Sequence, residues 1–393
     1  MGRDWSAEAA LADAAAKVFE QLGGNRVNPS VLMDATIPLD LSGEAVRSRL
    51  CVFPDARGHE IALRPDLTLP IALLEAEDRK AGRASGERTR RYVASAFRLP
   101  AAEGFDTEFT QVGFERYGAP STVQIDVEMF AVALEAANVG TPDLETVWLG
   151  DLAVIPALVD AVAGDPTTAD DLKRRFRQGG AMDTVASSAS SATNRQSGLS
   201  DIVAKASRAD AEILVGDLLA MAGVEPVGAR GLDEIVDRLM TQSSAERARA
   251  LPEASAAVLQ KALALSGPAA ETVGALEKTV GQAKVRDLDP VLARLVERLD
   301  ALQAHVPGLD LRFAASFGRR FNYYDGFLFE VFARGAHPLA PLAAGGRYDQ
   351  LIASLTDGAA AATAIGGVVR PDRMALASPE AAKPAQKQKG RQR

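Results

Sequence analysis

The sequence predicts an α+β protein, with strands gathered toward the two ends of the chain and a mostly helical stretch between them. Three observations predict this. Residues 27–116 alternate short apolar runs with turn residues. From about 151 to 300, alanine, leucine and charged residues dominate at helical spacing. Strand character then returns over 310–335 in DLRFAASFGRRFNYYDGFLFEVFARG, which is rich in aromatics and carries a glycine turn.

Taken in order, residues 6–22 read as a helix with Ser6 as N-cap, Leu11, Val18, Phe19 and Leu22 on one face, and Gly23–Gly24 as its end. Cys51–Phe53 and Ile61–Leu63 read as strands across a polar turn at 55–58, and RRYVASAFR and FTQVGFERYG as two more across a loop at 99–107. A helix follows at 122–138 and a short strand at 147–150, with Asp151 placed to cap the next helix. The run ASSASSATNRQSGLS at 186–200 reads as a flexible break. AAGGRYDQLIASL (343–355) reads as a strand end entering a helix, and ATAIGGVV (362–369) as a buried strand before a helix that begins near Pro371. The expected domains are therefore 1–150 with 301–376 as one folded core, 151–300 as a helical insertion, and 377–393 as a disordered basic tail.

Composition excludes several classes of protein. Of 393 residues, 47% are hydrophobic and 24% charged, which suits a globular domain. The formal charge of -8 disfavours a nucleic-acid partner. One cysteine forms no internal disulfide, and with three histidines it shows no zinc-type spacing. No apolar run is long enough to span a bilayer, and the first residues lack a secretory pattern, so the expectation is a cytoplasmic protein without membrane, metal or cofactor.

Five clusters carry the chemistry. ALRPDLT (62–68) closes a strand with Arg64 and Asp66, which a structural salt bridge would also explain. In FRLPAAEGFDTEFTQVGFERYG (97–118), strand periodicity puts Gln111, Gly113 and Glu115 on one face, and the glycine leaves room for a ligand; a solvated face is the other reading. RRFNYYDGFLFE (319–330) carries a double tyrosine. In AAGGRYD (343–349) the paired glycines permit close approach of a ligand, or else a tight turn. AIGGVVRPDRM (364–374) sets an arginine in the first turn of a helix, where positive charge opposes the dipole.

In sequence and order these clusters resemble histidyl-tRNA synthetase. ALRPDLT is similar to that family's A-L-R-P-E-G-T, FR…EFTQVGFE to its class II motif 2, RRFNYYDGFLFE to R-G-L-D-Y-Y-T-G-x-x-F-E, and AAGGRYDQL to A-G-G-R-Y-D-x-L. AIGGVVRPDRM resembles motif 3, with Arg373 at the motif arginine, and VNPSVLMDATIPLD (27–40) resembles motif 1, which builds a dimer interface. The resemblance implies a class II synthetase-like antiparallel sheet flanked by helices. It also implies a histidine pocket: Asp66 and Thr68 for the α-ammonium with help from Gln111, Arg98 and Arg319 toward the carboxylate, Glu115 and Tyr324 for the two imidazole nitrogens, and Tyr323 and Tyr348 beside the ring.

Three departures argue against synthetase chemistry. Leu99, Pro100 and Ala101 stand where the motif 2 acid and base help grip ATP, and the loop is a residue shorter. Arg370 replaces the motif 3 glycine that leaves space beside adenine. Only 20 residues follow Arg373, too few for an anticodon-binding domain of roughly 50 or more. The pattern looks like the family's regulatory branch, which pairs with a short-form ATP phosphoribosyltransferase catalytic subunit in the first step of histidine biosynthesis. It implies a chain with no catalysis of its own, an L-histidine ligand, a homodimer through the motif 1 region within a hetero-oligomer, and no tRNA. The alternative is an enzyme that still adenylates histidine.

Overall fold

The computed structural model describes residues 5–42, 44–101, 105–140, 142–177, 208–221, 251–306, 308–318, 322–337 and 340–377. The serine-rich break at 186–200, Arg319 and the basic tail lie outside them, except Ala377, which ends a helix.

Helix α1 (Trp5–Glu20) already contains Ser6, so that residue lies inside the helix rather than capping it. The apolar face buries Ala12, Ala15 and Phe19, and Phe19 meets Phe114 edge-on at 5.2 Å. Gly23 and Gly24 then take φ of +66° and +71°, a left-handed conformation that only glycine adopts without strain.

Among the described residues, nine strands form one sheet. In chain order they are β1 (Asn25–Arg26), β5 (Arg88–Phe97), β6 (Glu108–Tyr117), β7 (Leu144–Asp151), β8 (Ser266–Pro268), β9 (Asp310–Ala314), β10 (Phe327–Ala333), β11 (Ala343–Arg347) and β12 (Ala364–Val369). The spatial order is β1-β5-β6-β12-β11-β10-β7-β9-β8. Pairing is antiparallel from β5 to β7 and parallel for β1 on β5 and β7 on β9. The expected antiparallel sheet is therefore present, with a parallel pair toward each edge. A second sheet, β2-β4-β3, is built from β2 (Leu32–Asp34), β3 (Val52–Pro54) and β4 (Glu60–Leu63).

Strand alternation divides the large sheet into two faces. On β6, Val112 and Phe114 point to a back layer that holds α1 and α5 (Val123–Ala137). Thr122 caps α5, accepting from Ile125 N–H at 3.3 Å. Phe109, Gln111, Gly113, Glu115 and Tyr117 point to the front. There Met33, Leu67, Tyr92, Tyr348 and Ile352 form a second core beside α4 (Thr68–Lys80). Each fully buried Phe or Leu in these layers contributes about 1.5–3 kcal/mol.

The described residues between 151 and 300 supply mainly helices. They pack into the same apolar cluster as the sheet, through Leu158, Leu259, Leu276 and Leu295. They also supply β8, which pairs with β9. Arg298, on the helix Asp289–His305 that packs against α5, is buried and donates to Asp126 at 2.9 Å and Asp151 at 2.6 Å. Asp126 also holds Arg347 of β11 at 2.6 Å. Asp151 does reach the backbone ahead of the next helix, accepting from Ala153 N–H at 2.9 Å. No helix among the described residues is long and apolar enough to cross a membrane.

Candidate functional site

A cavity of about 260 Å³ opens on the front face of the large sheet. Asp66, Thr68, Arg98, Gln111, Tyr323, Tyr324 and Arg373, which lie far apart in the sequence, all line it. Glu115 and Tyr348 do not; they form a layer beneath its floor.

The cavity's polar floor is held in place before any ligand enters. Asp66 sits just ahead of α4, where one carboxylate oxygen accepts from Leu69 N–H at 3.0 Å and the other from the Tyr323 hydroxyl at 3.2 Å. Burial raises the Asp66 carboxyl above its ordinary range, against the opposing pull of the Leu69 N–H and of Arg98. Gln111 accepts from Leu67 N–H at 3.1 Å, which fixes its amide so that the NH2 end is the free donor. Thr68 donates to Glu115 at 2.7 Å.

Below this floor, Glu115 accepts three hydroxyls: Thr68, Tyr92 at 3.2 Å, and a very close Tyr348. Burial pushes its carboxyl up to about 8, against the three donors. All five tyrosines of the chain gather here. Tyr323 and Tyr324 lie tilted at 45° with ring centroids 4.8 Å apart, Tyr348 meets both edge-on at 5.8 and 6.0 Å, and Tyr117 lies 6.5 Å from Tyr348. Gly366 of β12 makes this layer possible, because a Cβ there would stand 1.8 Å from a Glu115 carboxylate oxygen.

Several local readings change in the structure. The space beside Gly113 is filled by Tyr92, whose hydroxyl would stand 2.5 Å from an added Cβ, and so is not room for a ligand. Gly345 and Gly346 do not turn the chain. They lie inside β11 and let Phe329 and the Phe327 carbonyl approach to 2.5 and 2.6 Å of where side chains would begin. Arg347 is buried on the back face against Asp126 and Asp349 rather than beside the cavity. Arg64 forms no salt bridge with Asp66; it braces the Ser95 and Pro29 carbonyls at 2.7 and 2.6 Å.

The other end of the cavity is rich in arginine. The Arg370 guanidinium carbon stands over the Phe109 ring, 3.6 Å from its centroid, and that of Arg98 4.8 Å from the same centroid. Asp372 holds Arg370 in a fork through Nε at 3.0 Å and Nη2 at 2.7 Å. The arginine expected to fill the space beside a nucleobase therefore does cover an aromatic face of the cavity. Arg373, in the first turn of the helix Pro371–Ala377, donates to the Pro341 carbonyl at 2.8 Å, and Phe105 lies 5.8 Å from its guanidinium. Burial, and then the neighbouring Arg370, lower both Arg98 and Arg373 from the ordinary guanidinium value. Arg49, Phe105, Phe317 and Glu330 also line the cavity, and sequence reasoning missed them. Glu330 was legible in principle, two residues along β10 from the cavity-facing Leu328. Arg49 carried no signal, because a turn brings it in from outside any strand.

The histidyl-tRNA synthetase family model matches residues 2–214 and 211–374. An ATP phosphoribosyltransferase regulatory subunit of Mesorhizobium japonicum is 32% identical, over 91% of this chain and 94% of its own length. The chain belongs to that family of regulatory subunits. A second member of the family, from Chelativorans sp., is 30% identical over 83% of this chain and 86% of its own length. Among solved structures, an ATP phosphoribosyltransferase regulatory subunit/histidyl-tRNA synthetase from Bacillus halodurans aligns with a TM-score of 0.62 at 21% identity, covering 95% of this chain and 79% of that one. A histidine–tRNA ligase subunit from Alicyclobacillus acidocaldarius gives 0.57 at 23% identity, over 98% and 97%. At these identities the two structures establish the fold, a class II synthetase-like α+β core.

Proposed function

We propose that this chain, as a regulatory subunit of ATP phosphoribosyltransferase in histidine biosynthesis, binds L-histidine in the front-face cavity and governs a short-form catalytic subunit. One observation carries the ligand reading: Asp66, Thr68, Arg98, Gln111, Tyr323 and Tyr324 converge on a single cavity. Histidine needs an anion for its ammonium, a cation for its carboxylate, and polar groups for its ring. Asp66 supplies the first, Arg98 the second, and the Tyr324 hydroxyl with the Gln111 amide the third. Glu115 acts one layer back, holding Thr68 and Tyr348 in place. Arg319 is assigned to the carboxylate end by resemblance alone.

The chain transforms nothing on this reading. Arg370 on Phe109 is the support, because it occupies an aromatic face that a nucleobase would need. The chain pairs with a second copy through the motif 1 region. The support is the small sheet there, where Leu32 is 46% and Phe53 41% exposed.

Calorimetry with L-histidine tests the ligand. Wild type binds and Tyr324→Phe binds about tenfold or more weakly, the cost of one hydrogen bond to a polar partner in a buried site. Absence of binding at millimolar histidine ends the reading. The regulatory half is tested by the rate of a short-form catalytic subunit with and without this chain, across histidine concentration. A catalytic subunit that is fully active alone and ignores the chain would refute it.

A further inference from the structure

Two segments that shape the cavity meet at one carboxylate. The first is the loop 322–326, which carries the double tyrosine. The second is β11 with the turn 348–350 that leads into the helix Leu351–Leu355. Asp325 joins them. Its two oxygens each accept a backbone N–H, from Asp349 at 3.0 Å and from Gln350 at 2.8 Å, while its own N–H donates to the Arg347 carbonyl at 3.1 Å. The cavity-lining Tyr324 ring rests on that second segment. A Cβ at Gly346 would stand 3.1 Å from it, and Tyr348 meets it edge-on at 6.0 Å. The place of Tyr324 therefore depends on how firmly the loop is held to the turn. In the pattern R-G-L-D-Y-Y-T-G a threonine stands at the position of Asp325, and the acid stands on the other side of the tyrosines, at Asn322. One hydroxyl oxygen does not offer two N–H groups an acceptor each, whereas a carboxylate does.

We propose that Asp325 is a positioning residue: its carboxylate clasps the turn 348–350 to the double-tyrosine loop, and this clasp fixes the aromatic wall of the cavity for an amino-acid ligand. The ligand part rests on the histidine reading of the cavity; the clasp does not. Both oxygens serve fully only when the carboxyl is ionised, because a protonated oxygen accepts weakly. Burial raises this carboxyl to about 6, against the two N–H groups of the turn. Among the described residues, the charged groups that face it are Asp349, which adds to the rise, and Arg347, which opposes it. Arg347 in turn holds Asp349 at 3.0 Å and Asp126 of α5 at 2.8 Å. The clasp is therefore complete above about pH 6 and loosens as pH falls through that value.

The test compares the full wild-type chain with Asp325→Asn at pH 5, 6, 7 and 8. Calorimetry with L-histidine measures the ligand part. Protonation of histidine itself and of the other cavity groups is common to both chains, so the ratio of the two affinities isolates residue 325. Wild type binds roughly tenfold or more tightly at pH 8, and the ratio falls toward one at pH 5. A ratio that is the same at every pH, or equal affinity at pH 8, overturns the proposal. Hydrogen–deuterium exchange of the Asp349 and Gln350 amides, in both chains without ligand, measures the clasp. Protection relative to the intrinsic exchange rate is lost in the variant at pH 8 and is similar in the two chains at pH 5. Equal protection at pH 8 overturns the proposal. If wild type binds no histidine while the exchange difference is present, the histidine reading fails and the clasp stands. If the variant does not fold, exchange in wild type decides: protection that rises from pH 5 to pH 8 supports the clasp, and a flat profile overturns it.

Discussion

Glu115→Gln exchanges a buried carboxyl for an amide of nearly the same shape, and its effect on stability should change sign with pH. The Glu115 carboxyl rises from 4.5 in the unfolded chain to about 8 in the fold, chiefly through burial. An acid with a raised folded value contributes stability that is complete below its unfolded value and is lost as pH rises through the folded one. The relevant window is therefore about pH 4.5 to 8. Each pH unit well inside it costs about 1.4 kcal/mol, so wild type loses about 3 kcal/mol between pH 5 and pH 8 through this group alone. The glutamine variant does not titrate and escapes that loss. At pH 5 both side chains are neutral, and the variant should be less stable by about 1 kcal/mol. One of its amide hydrogens must then meet a hydroxyl that donated to the acid. By pH 8 the variant should be the more stable by about 2 kcal/mol. The neighbours Asp66, Tyr92 and Tyr348 are common to both chains, so their own titration cancels to first order. Urea unfolding of both chains at pH 5, 6, 7 and 8 measures the difference directly. A wild-type-minus-variant difference that is flat across this range would mean that Glu115 is ionised throughout, and that the three hydroxyls outweigh burial.

Three other perturbations follow from the same geometry. Gly366→Ala drives a methyl into the Glu115 carboxylate, now 1.8 Å from that point, and should cost about 1–3 kcal/mol in thermal unfolding together with loss of histidine binding. Arg298→Met leaves Asp126 and Asp151 buried with one cation fewer and should cost about 3–5 kcal/mol by urea titration; a cost below about 1 kcal/mol would mean water has replaced the guanidinium. Phe53→Asp puts a charge on the exposed face of the small sheet and should leave the chain monomeric in sedimentation velocity; a persisting dimer would move the interface elsewhere.

The strongly patterned parts of the fold were legible in the sequence, and the parts made by tertiary contact were not. Strands β5, β6, β10 and β12 alternate or run apolar over six residues or more, so their existence needed no partner to be recognised. Strand β1 has two residues and β8 three, and neither length carries a period. Among the residues singled out in the sequence, Asp66, Thr68, Arg98, Gln111, Tyr323 and Tyr324 line one cavity. Glu115 and Gln111 share a face of β6, but alternation does not say how deep a residue lies on that face. Tyr92 from β5 closes over Gly113 and separates the two levels. Gly113 reads as room for a ligand or part of a solvated face, and Gly345 as a close approach or a tight turn, because a missing side chain looks the same in sequence whether a ligand or a neighbouring aromatic ring uses the gap.

Two of these short strands have a consequence for how copies of the chain can associate. The large sheet ends at β1 on one side and at β8 on the other. A two-residue edge offers an incoming strand almost no ladder to grip, and in β8 the last residue is Pro268, which has no N–H to donate. Among the described residues, growth of the large sheet by adding strands end over end, the route toward fibres, finds little to grip at either margin. Association of copies through side-chain surfaces saturates at a fixed number, whereas a long open edge would recruit without limit.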